Sequence, residues 1–204
     1  MYEKIEINDE TEELINKTEE EIKPIFEQIE NIAKYNSLKV LNAFQKYRLS
    51  ELHFTSTTGY GYDDIGRECV ENIFAEVLGG EDALVRTQIV SGTHALTIAL
   101  FAFLRPNDTM LSIAGKPYDT LDTVIGIEEN ASSLKSFGIK YEQIDLQDNK
   151  FDTEKIVDRI SKGDIKLIHI QRSRGYALRE TISIEQLKNI ILEIRKINKE
   201  VIIM

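Results

Sequence analysis

The first part of the chain carries apolar residues at the spacing of amphipathic helices. Apolar positions recur at helical intervals over 9–35, with Glu and Lys between them, which predicts a helix with a break or a start near Pro24. Further helices are predicted over 36–50 and 67–78. Between these two lies the sequence FTSTTGYGYDDIGR, rich in Gly, Ser, Thr and Asp, which indicates a long loop. Long ordered loops often carry function, so this loop is a first candidate.

The rest of the chain alternates short apolar runs with helical patterns. The runs predict strands over 83–89, 109–113, 139–144, 165–170 and 200–204. The helical patterns between them cover 93–105, 120–137, 152–162 and 183–198. This alternation predicts an α/β fold with a mostly parallel sheet and helices on both faces. We expect an N-terminal helical segment over 1–58 and an incomplete α/β domain over 59–204, because the last strand reaches Met204 before any site-forming loop follows it.

Composition and net charge limit the classes of protein to which this chain can belong. The 204 residues are 42% hydrophobic and 29% charged, as in ordinary globular proteins, and the net charge is −10. No apolar run approaches the roughly 20 residues of a membrane span, and the acidic N-terminus does not resemble a signal peptide. Without a Lys/Arg-rich block, nucleic acid is not an expected partner. We expect a cytoplasmic protein, with Cys69 as a buried structural thiol.

The segment VSGTHALTIALF contains a candidate anion site. Ser91, Gly92 and Thr93 precede an apolar helix. The backbone amides of this loop and the positive end of the helix dipole therefore face any anion bound at the helix N-terminus. Gly92 permits close approach of the backbone, and the two hydroxyls add donors. These features suit a phosphate group. The alternative is that Ser91 or Thr93 only caps the helix.

The loop TTGYGYDDIGR contains a second candidate. Arg67 can bind a phosphate with its two-pronged guanidinium, and Tyr60 or Tyr62 can add a hydrogen bond. Asp63 and Asp64 could bind a metal ion. Turn formation, or pairing of these carboxylates with Arg67, is the alternative that the local sequence favours.

Two loops that follow predicted strands contain further candidates. In GKPYDTL, Tyr118 can stack on a planar ligand, or the segment is only a turn at Pro117. HIQRSRGYALR contains three arginines, Arg172, Arg174 and Arg179, which concentrate positive charge in an acidic chain. We expect Arg172 or Arg174 to bind a substrate carboxylate. The alternative is that these arginines form surface salt bridges. The histidines have no zinc-site spacing, so no metal is expected; they are His53, His94 and His169.

Together these four motifs closely resemble one family. FTSTTGYGYDDIGR, ALVRTQIVSGTHAL, GKPYDTL and IQRSRGY are similar, in the same order, to the methionine gamma-lyase-like or aluminium-resistance proteins. These are relatives of the cystathionine beta-lyases that use pyridoxal phosphate and have the aspartate aminotransferase fold, fold type I. The resemblance covers about residues 40–204. It implies a carbon–sulfur lyase that acts on sulfur amino acids with pyridoxal phosphate as cofactor.

The resemblance also implies a role for each loop. It assigns 91–93 to the cofactor phosphate and Tyr118 to the face of the pyridine ring. It assigns Tyr60, Tyr62 and Arg67 to a loop that reaches the phosphate from the neighbouring subunit, which implies a homodimer or a homotetramer with shared active sites. The spacing here differs from the Tyr-x-Arg of typical members, so either tyrosine fits that role.

One part of the family's machinery is not matched. The lysine that forms a Schiff base with the cofactor, and the aspartate that holds the ring nitrogen, are expected beyond Met204, so this chain alone is not expected to catalyse the reaction. The alternative is a non-catalytic α/β module that binds a phosphate-bearing ligand or a partner chain. A nucleotide-binding domain would need a glycine fingerprint that the sequence lacks.

Overall fold

The fold is described from a computed structural model, which covers residues 7–60, 62 and 64–204. By its internal contacts the chain divides into two compact units, Met1–Gln88 and Ile89–Met204. The predicted boundary between residues 58 and 59 stays a prediction.

The first unit is built from two helices. Helix α1 spans Asp9–Lys46, begins at the cap residue Asn8, whose side chain accepts the Thr11 N–H at 2.8 Å, and continues through Pro24. One helix therefore covers most of the two segments predicted as separate helices, 9–35 and 36–50. The break or start predicted near Pro24 is wrong, because the single proline removes one backbone donor without ending the helix here. A 3₁₀ turn at Glu51–Phe54 and helix α2 at Ile65–Leu78 follow.

A small core joins the end of α1 to α2. It consists of Ala43, Cys69 and Ile73, with partly buried apolar neighbours around them. Cys69 is only 6% exposed, which confirms it as a buried thiol, and this burial raises its pKa. Although α1 is long, no helix among the described residues is apolar enough to cross a membrane. The cytoplasmic location stays a prediction.

The strand predicted over 83–89 is wrong. This segment is irregular, because its backbone is bound by a side chain instead of a neighbouring strand. The Glu71 carboxylate on α2 accepts the Val85 N–H at 2.9 Å and also pairs with Arg86. Apolar and β-branched composition alone therefore did not distinguish a strand from a segment packed on a helix.

The second unit contains a four-stranded sheet. The strands are β1 at Thr109–Ser112, β2 at Lys140–Gln143, β3 at Ile165–His169 and β4 at Ile202–Ile203. They lie in the order β2-β1-β3-β4, and every pairing is parallel. The other four predicted strands and the predicted parallel sheet are confirmed.

Helices cover both faces of this sheet. They are α3 at Gly92–Phe103, α4 at Asp122–Ile125, α5 at Thr153–Ser161 and α6 at Ile184–Ile197. Successive strand residues point to opposite faces, so Leu111 and Ile168 pack in one apolar cluster with α5 and α6. Met110 and Leu167 pack in the other cluster with α3 and α4. The chain is thus an α/β protein whose parallel sheet is flanked by helices.

The helix predicted over 120–137 is wrong beyond its start. Only a 3₁₀ turn at Asp119–Leu121 and the short α4 form there. Gly126 then takes a left-handed conformation with φ +93°, and a Cβ at this position would lie 2.7 Å from the Ser133 hydroxyl oxygen. The chain folds back on α4, where the Leu134 N–H donates to the Val124 carbonyl at 2.8 Å. This glycine therefore ends the helix and permits the close return.

Replacing Ile168 by Ala tests the packing of the α5 and α6 face. The side chain is fully buried, so the variant should lower the free energy of unfolding by about 2–5 kcal/mol through lost burial and a residual cavity. Leu192→Ala on the exposed side of α6 is the matched control and should change it by less than about 0.5 kcal/mol. Urea unfolding of the chain measures both, and equal losses would contradict this assignment of core and surface.

Candidate functional site

The N-terminus of α3 presents free backbone amides. The Ser91 hydroxyl accepts the His94 N–H at 3.1 Å and the Ser91 carbonyl accepts the Ala95 N–H at 3.0 Å, so Ser91 is the cap. The amides of Gly92 and Thr93 have no acceptor among the described residues, as expected in the first turn of a helix. Capping and anion binding are therefore compatible here, because they use different amides.

The space around this terminus is open. A Cβ at Gly92 would meet no atom within 4 Å. The Thr93 hydroxyl lies 2.9 Å from the Thr120 hydroxyl oxygen, in the turn that follows Tyr118. Thus the start of α3 and the loop after β1 are adjacent.

Tyr118 lies where the loops after β1 and β3 meet. Its N–H donates to the Gln171 side-chain oxygen at 2.7 Å. Its half-buried ring lies beside the ring of Tyr176, with 5.9 Å between centroids and 30° between planes. Adjacent parallel strands deliver their following loops to one edge of the sheet, which explains how residues far apart in sequence come together.

An ion pair spans the turn that carries Tyr118. The Lys116 ammonium lies 2.6 Å from one carboxylate oxygen of Asp122, and this hydrogen bond raises the pKa of the lysine. Asp122 is buried, and its other carboxylate oxygen has no partner among the described residues. Sequence analysis missed this pair, since no periodicity or motif links the two positions.

Three arginines follow β3, namely Arg172, Arg174 and Arg179, and two of them donate to backbone carbonyls. The Arg172 Nε donates to the Ile182 carbonyl at 3.0 Å. The Arg179 guanidinium donates to the carbonyls of Gln171 and Ser173 at 3.1 and 2.7 Å, and burial lowers its pKa. The exposed Arg174 makes no side-chain hydrogen bond or ion pair with the described residues, so it is the arginine most available to an anion.

His169 is a buried titratable group at the carboxyl end of β3. It is only 4% exposed, its Nδ1 has no partner among the described residues, and burial lowers its pKa. It follows Leu167 by two residues, so it lies on the sheet face that α3 covers. The sequence marked it only as a histidine without zinc spacing.

The Tyr/Arg loop belongs to the first unit. Arg67 donates from Nη2 to the Gly59 carbonyl at 3.2 Å, and its Nε lies 3.3 Å from an Asp64 carboxylate oxygen. Asp64 also caps α2 by accepting the Arg67 N–H at 3.1 Å, so the pairing alternative is the observed one. Tyr60 and Tyr62 are 83% and 85% exposed. Asp63 lies outside the described residues.

Arg67 also lines a cleft of about 530 Å³ within this unit. Arg86 lies on the same cleft, together with His53 and several threonines. The Arg67 guanidinium therefore borders open space while it contacts Gly59 and Asp64. That position is compatible with binding a further anionic group.

The chain has close relatives of known sequence and structure. Residues 11–204 match the family model described as methionine gamma-lyase. The uncharacterized protein YnbB of Bacillus subtilis (strain 168) is 48% identical over 198 residues, which cover 94% of this chain and 47% of YnbB. The solved carbon-sulfur lyase involved in aluminum resistance from Clostridium novyi NT has a TM-score of 0.90 and 47% identity, over 97% of this chain and 47% of that one.

A second solved structure gives the same result. It is a candidate cystathionine beta-lyase involved in aluminum resistance from Clostridium acetobutylicum, with a TM-score of 0.92 and 45% identity over 97% of this chain and 47% of that one. The chain thus spans about half the length of the relatives it matches. The family expected from the four motifs is confirmed: the chain belongs to the methionine gamma-lyase family.

Proposed function

We propose that this chain forms the phosphate-binding and ring-stacking part of a pyridoxal-phosphate-dependent carbon–sulfur lyase that acts on sulfur amino acids. Family membership and the carbon-sulfur lyase name of the Clostridium novyi relative support the lyase class. The parallel sheet with helices on both faces supports assignment to the large domain of fold type I enzymes. The observation that carries the proposal is the pair of free amides at Gly92 and Thr93, beside the turn that follows Tyr118.

The residues at the start of α3 fit a phosphate group. Two amides that have no acceptor within the described ranges, together with the positive end of the helix dipole, attract a dianion. The Ser91 oxygen accepts the His94 N–H but its own hydroxyl proton remains available to donate. Thr93 adds a second hydroxyl that can turn from Thr120 to the ligand. These donors can bind an anion locally, although the chain as a whole has a net charge of −10.

Tyr118 would bind the flat ring of the cofactor, and the protein's part is to hold and orient that ring. When bound, pyridoxal phosphate supplies the electron sink that eases removal of the Cα proton of an amino acid. The Lys116–Asp122 pair fixes the turn beneath Tyr118 and so limits how the ring can move. We propose that the cofactor-binding lysine and the aspartate for the ring nitrogen lie in the half of the relatives' length that this chain does not span.

Substrate and subunit contacts complete the proposal. Arg174, whose guanidinium has no partner in the described part of the chain, is a better candidate than Arg172 for the substrate carboxylate. Arg67, with Tyr60 or Tyr62, would contact the phosphate bound by a second copy of the chain, in a homodimer or homotetramer. A loop exposed at both tyrosines is compatible with that contact.

Borohydride reduction tests the cofactor and its attachment. The full-length protein should absorb visible light with pyridoxal phosphate, lose that band on reduction, and retain the cofactor on one lysine outside residues 1–204 when its peptides are mapped. Retention on no lysine would overturn the lyase proposal. Phosphate-dependent binding without attachment would instead favour the non-catalytic module.

Tyr118→Ala tests ring stacking. Loss of the aromatic contact should weaken pyridoxal phosphate binding by about tenfold and shift the absorbance maximum of the bound cofactor. Tyr118→Phe keeps the ring and should keep both values near those of the unaltered protein. Titration followed by absorbance measures them, and an unchanged spectrum in the alanine variant would refute stacking.

Arg67→Ala tests the contact from the neighbouring subunit. Removing a charged hydrogen bond to phosphate should weaken cofactor binding by about 10- to 100-fold. Lys39→Ala removes the same charge from an exposed position on α1 and serves as the control. Equilibrium dialysis against pyridoxal phosphate measures both variants. Equal affinity in the Arg67 and Lys39 variants would exclude the phosphate role of Arg67.

A further inference from the structure

We propose that the loop of residues 171–180 is a clamp that sets the orientation of the Tyr118 ring, with Gln171 and Gly175 as positioning residues and Tyr176 as a backing ring. The clamp contacts the Cδ2–Cε2 edge of the Tyr118 ring and places a second ring beside it. This inference rests on the proposed stacking role of Tyr118, and it adds the residues that make the ring a defined surface.

The first contact of the clamp fixes the main chain of Tyr118. The Gln171 side-chain oxygen accepts the Tyr118 N–H at 2.7 Å, and its side-chain nitrogen donates to the Ser173 carbonyl at 3.1 Å. One amide side chain therefore joins the loop after β1 to the loop after β3. A side chain without an acceptor at position 171 would leave the partly buried Tyr118 N–H without this partner.

The second contact brings the loop backbone against the tyrosine ring. A Cβ at Gly175 would lie 3.0 Å from Cδ2 and 3.2 Å from Cε2 of Tyr118. Gly175 also has φ +56°, a conformation that glycine adopts without strain. A side chain at this position would therefore require the Tyr118 ring or the loop to shift by a few tenths of an ångström.

The third contact is between two rings. Tyr176 lies with its centroid 5.9 Å from that of Tyr118 at an interplanar angle of 30°, within the range of offset aromatic pairs. Its hydroxyl also raises the pKa of Tyr118. Tyr176 itself is 86% exposed, so it backs Tyr118 from the outside. In the proposed arrangement, a planar ligand would stack on the face of Tyr118 that Tyr176 does not occupy.

Arg179 stabilises the conformation of the clamp. Its guanidinium donates to the carbonyls of Gln171, Ser173 and Glu180 at 3.1, 2.7 and 2.9 Å. All three acceptors lie in the loop of residues 171–180, so Arg179 acts as an internal support of this loop. The position of this loop then determines the position of Tyr118 through the contacts of Gln171 and Gly175.

Gly175→Ala in the full-length protein is the central test. It should change the near-ultraviolet circular dichroism of the tyrosines without ligand, and weaken pyridoxal phosphate binding by about three- to tenfold, the value of a lost aromatic stack. Gly163→Ala is the matched control, because Gly163 also has a positive φ of +84° but nothing within 4 Å of an added Cβ. Identical dichroism and affinity in the two variants would overturn the clamp.

A double variant distinguishes an effect of Gly175 on the position of the Tyr118 ring from a general loss of structure. If Gly175 acts through Tyr118, Gly175→Ala combined with Tyr118→Ala should bind pyridoxal phosphate no more weakly than Tyr118→Ala alone. Additive losses would overturn the inference. If Gly175→Ala does not fold, two variants of Gln171 provide the test. Gln171→Leu should alter the tyrosine dichroism, whereas Gln171→Glu keeps the acceptor for the Tyr118 N–H and should leave the dichroism near that of the unaltered protein. Equal dichroism in the two variants would overturn the clamp.

The ligand-free dichroism also separates this inference from the proposed function. A protein that binds no pyridoxal phosphate refutes the proposed function, yet the dichroism of the Gly175 and Gln171 variants still decides whether the loop orients Tyr118. A protein that binds the cofactor but shows no dichroic change in these variants refutes the clamp alone.

Discussion

The parallel pairing of β1 with β3 is the constraint on which the candidate site depends. In this register Ser112 lies opposite His169, so the two strands end at the same level and their loops leave the sheet side by side. That places Tyr118 within hydrogen-bond distance of Gln171, although 53 positions separate them. The apolar clusters on both faces stabilise this register, because a shift by one residue would turn core side chains toward the wrong face.

The start of α3 adds backbone donors and the positive end of a helix dipole beside this edge of the sheet. Its cap uses the Ser91 side chain for one amide, while the amides of Gly92 and Thr93 have no acceptor among the described residues, so a capped helix end is compatible with the proposed anion site. The hydroxyl contact between Thr93 and Thr120 links this end to the Tyr118 turn. Phosphate binding and ring stacking would therefore be supplied by neighbouring parts of one unit, which is consistent with the family to which the chain belongs.

Much of the fold follows from local pattern, and the errors have physical causes. Alternating apolar runs predicted all four strands of the sheet, because buried parallel strands are apolar and flanked by helices. The pattern failed at 83–89, where Glu71 binds the backbone, and at 120–137, where Gly126 reverses the chain. The motifs located Tyr118, but its partners Gln171 and Gly175 act through tertiary contacts that no spacing in the sequence records. For the same reason Arg179 could not be recognised as loop support.

The most direct measurement of the central claim is a crystal structure of the full-length protein with pyridoxal phosphate. The account predicts phosphate oxygens at about 3 Å from the amide nitrogens of Gly92 and Thr93, the distance of an N–H···O hydrogen bond. It also predicts the pyridine ring on the face of Tyr118 opposite Tyr176. A phosphate bound away from α3, or a ring that does not contact Tyr118, would contradict the account.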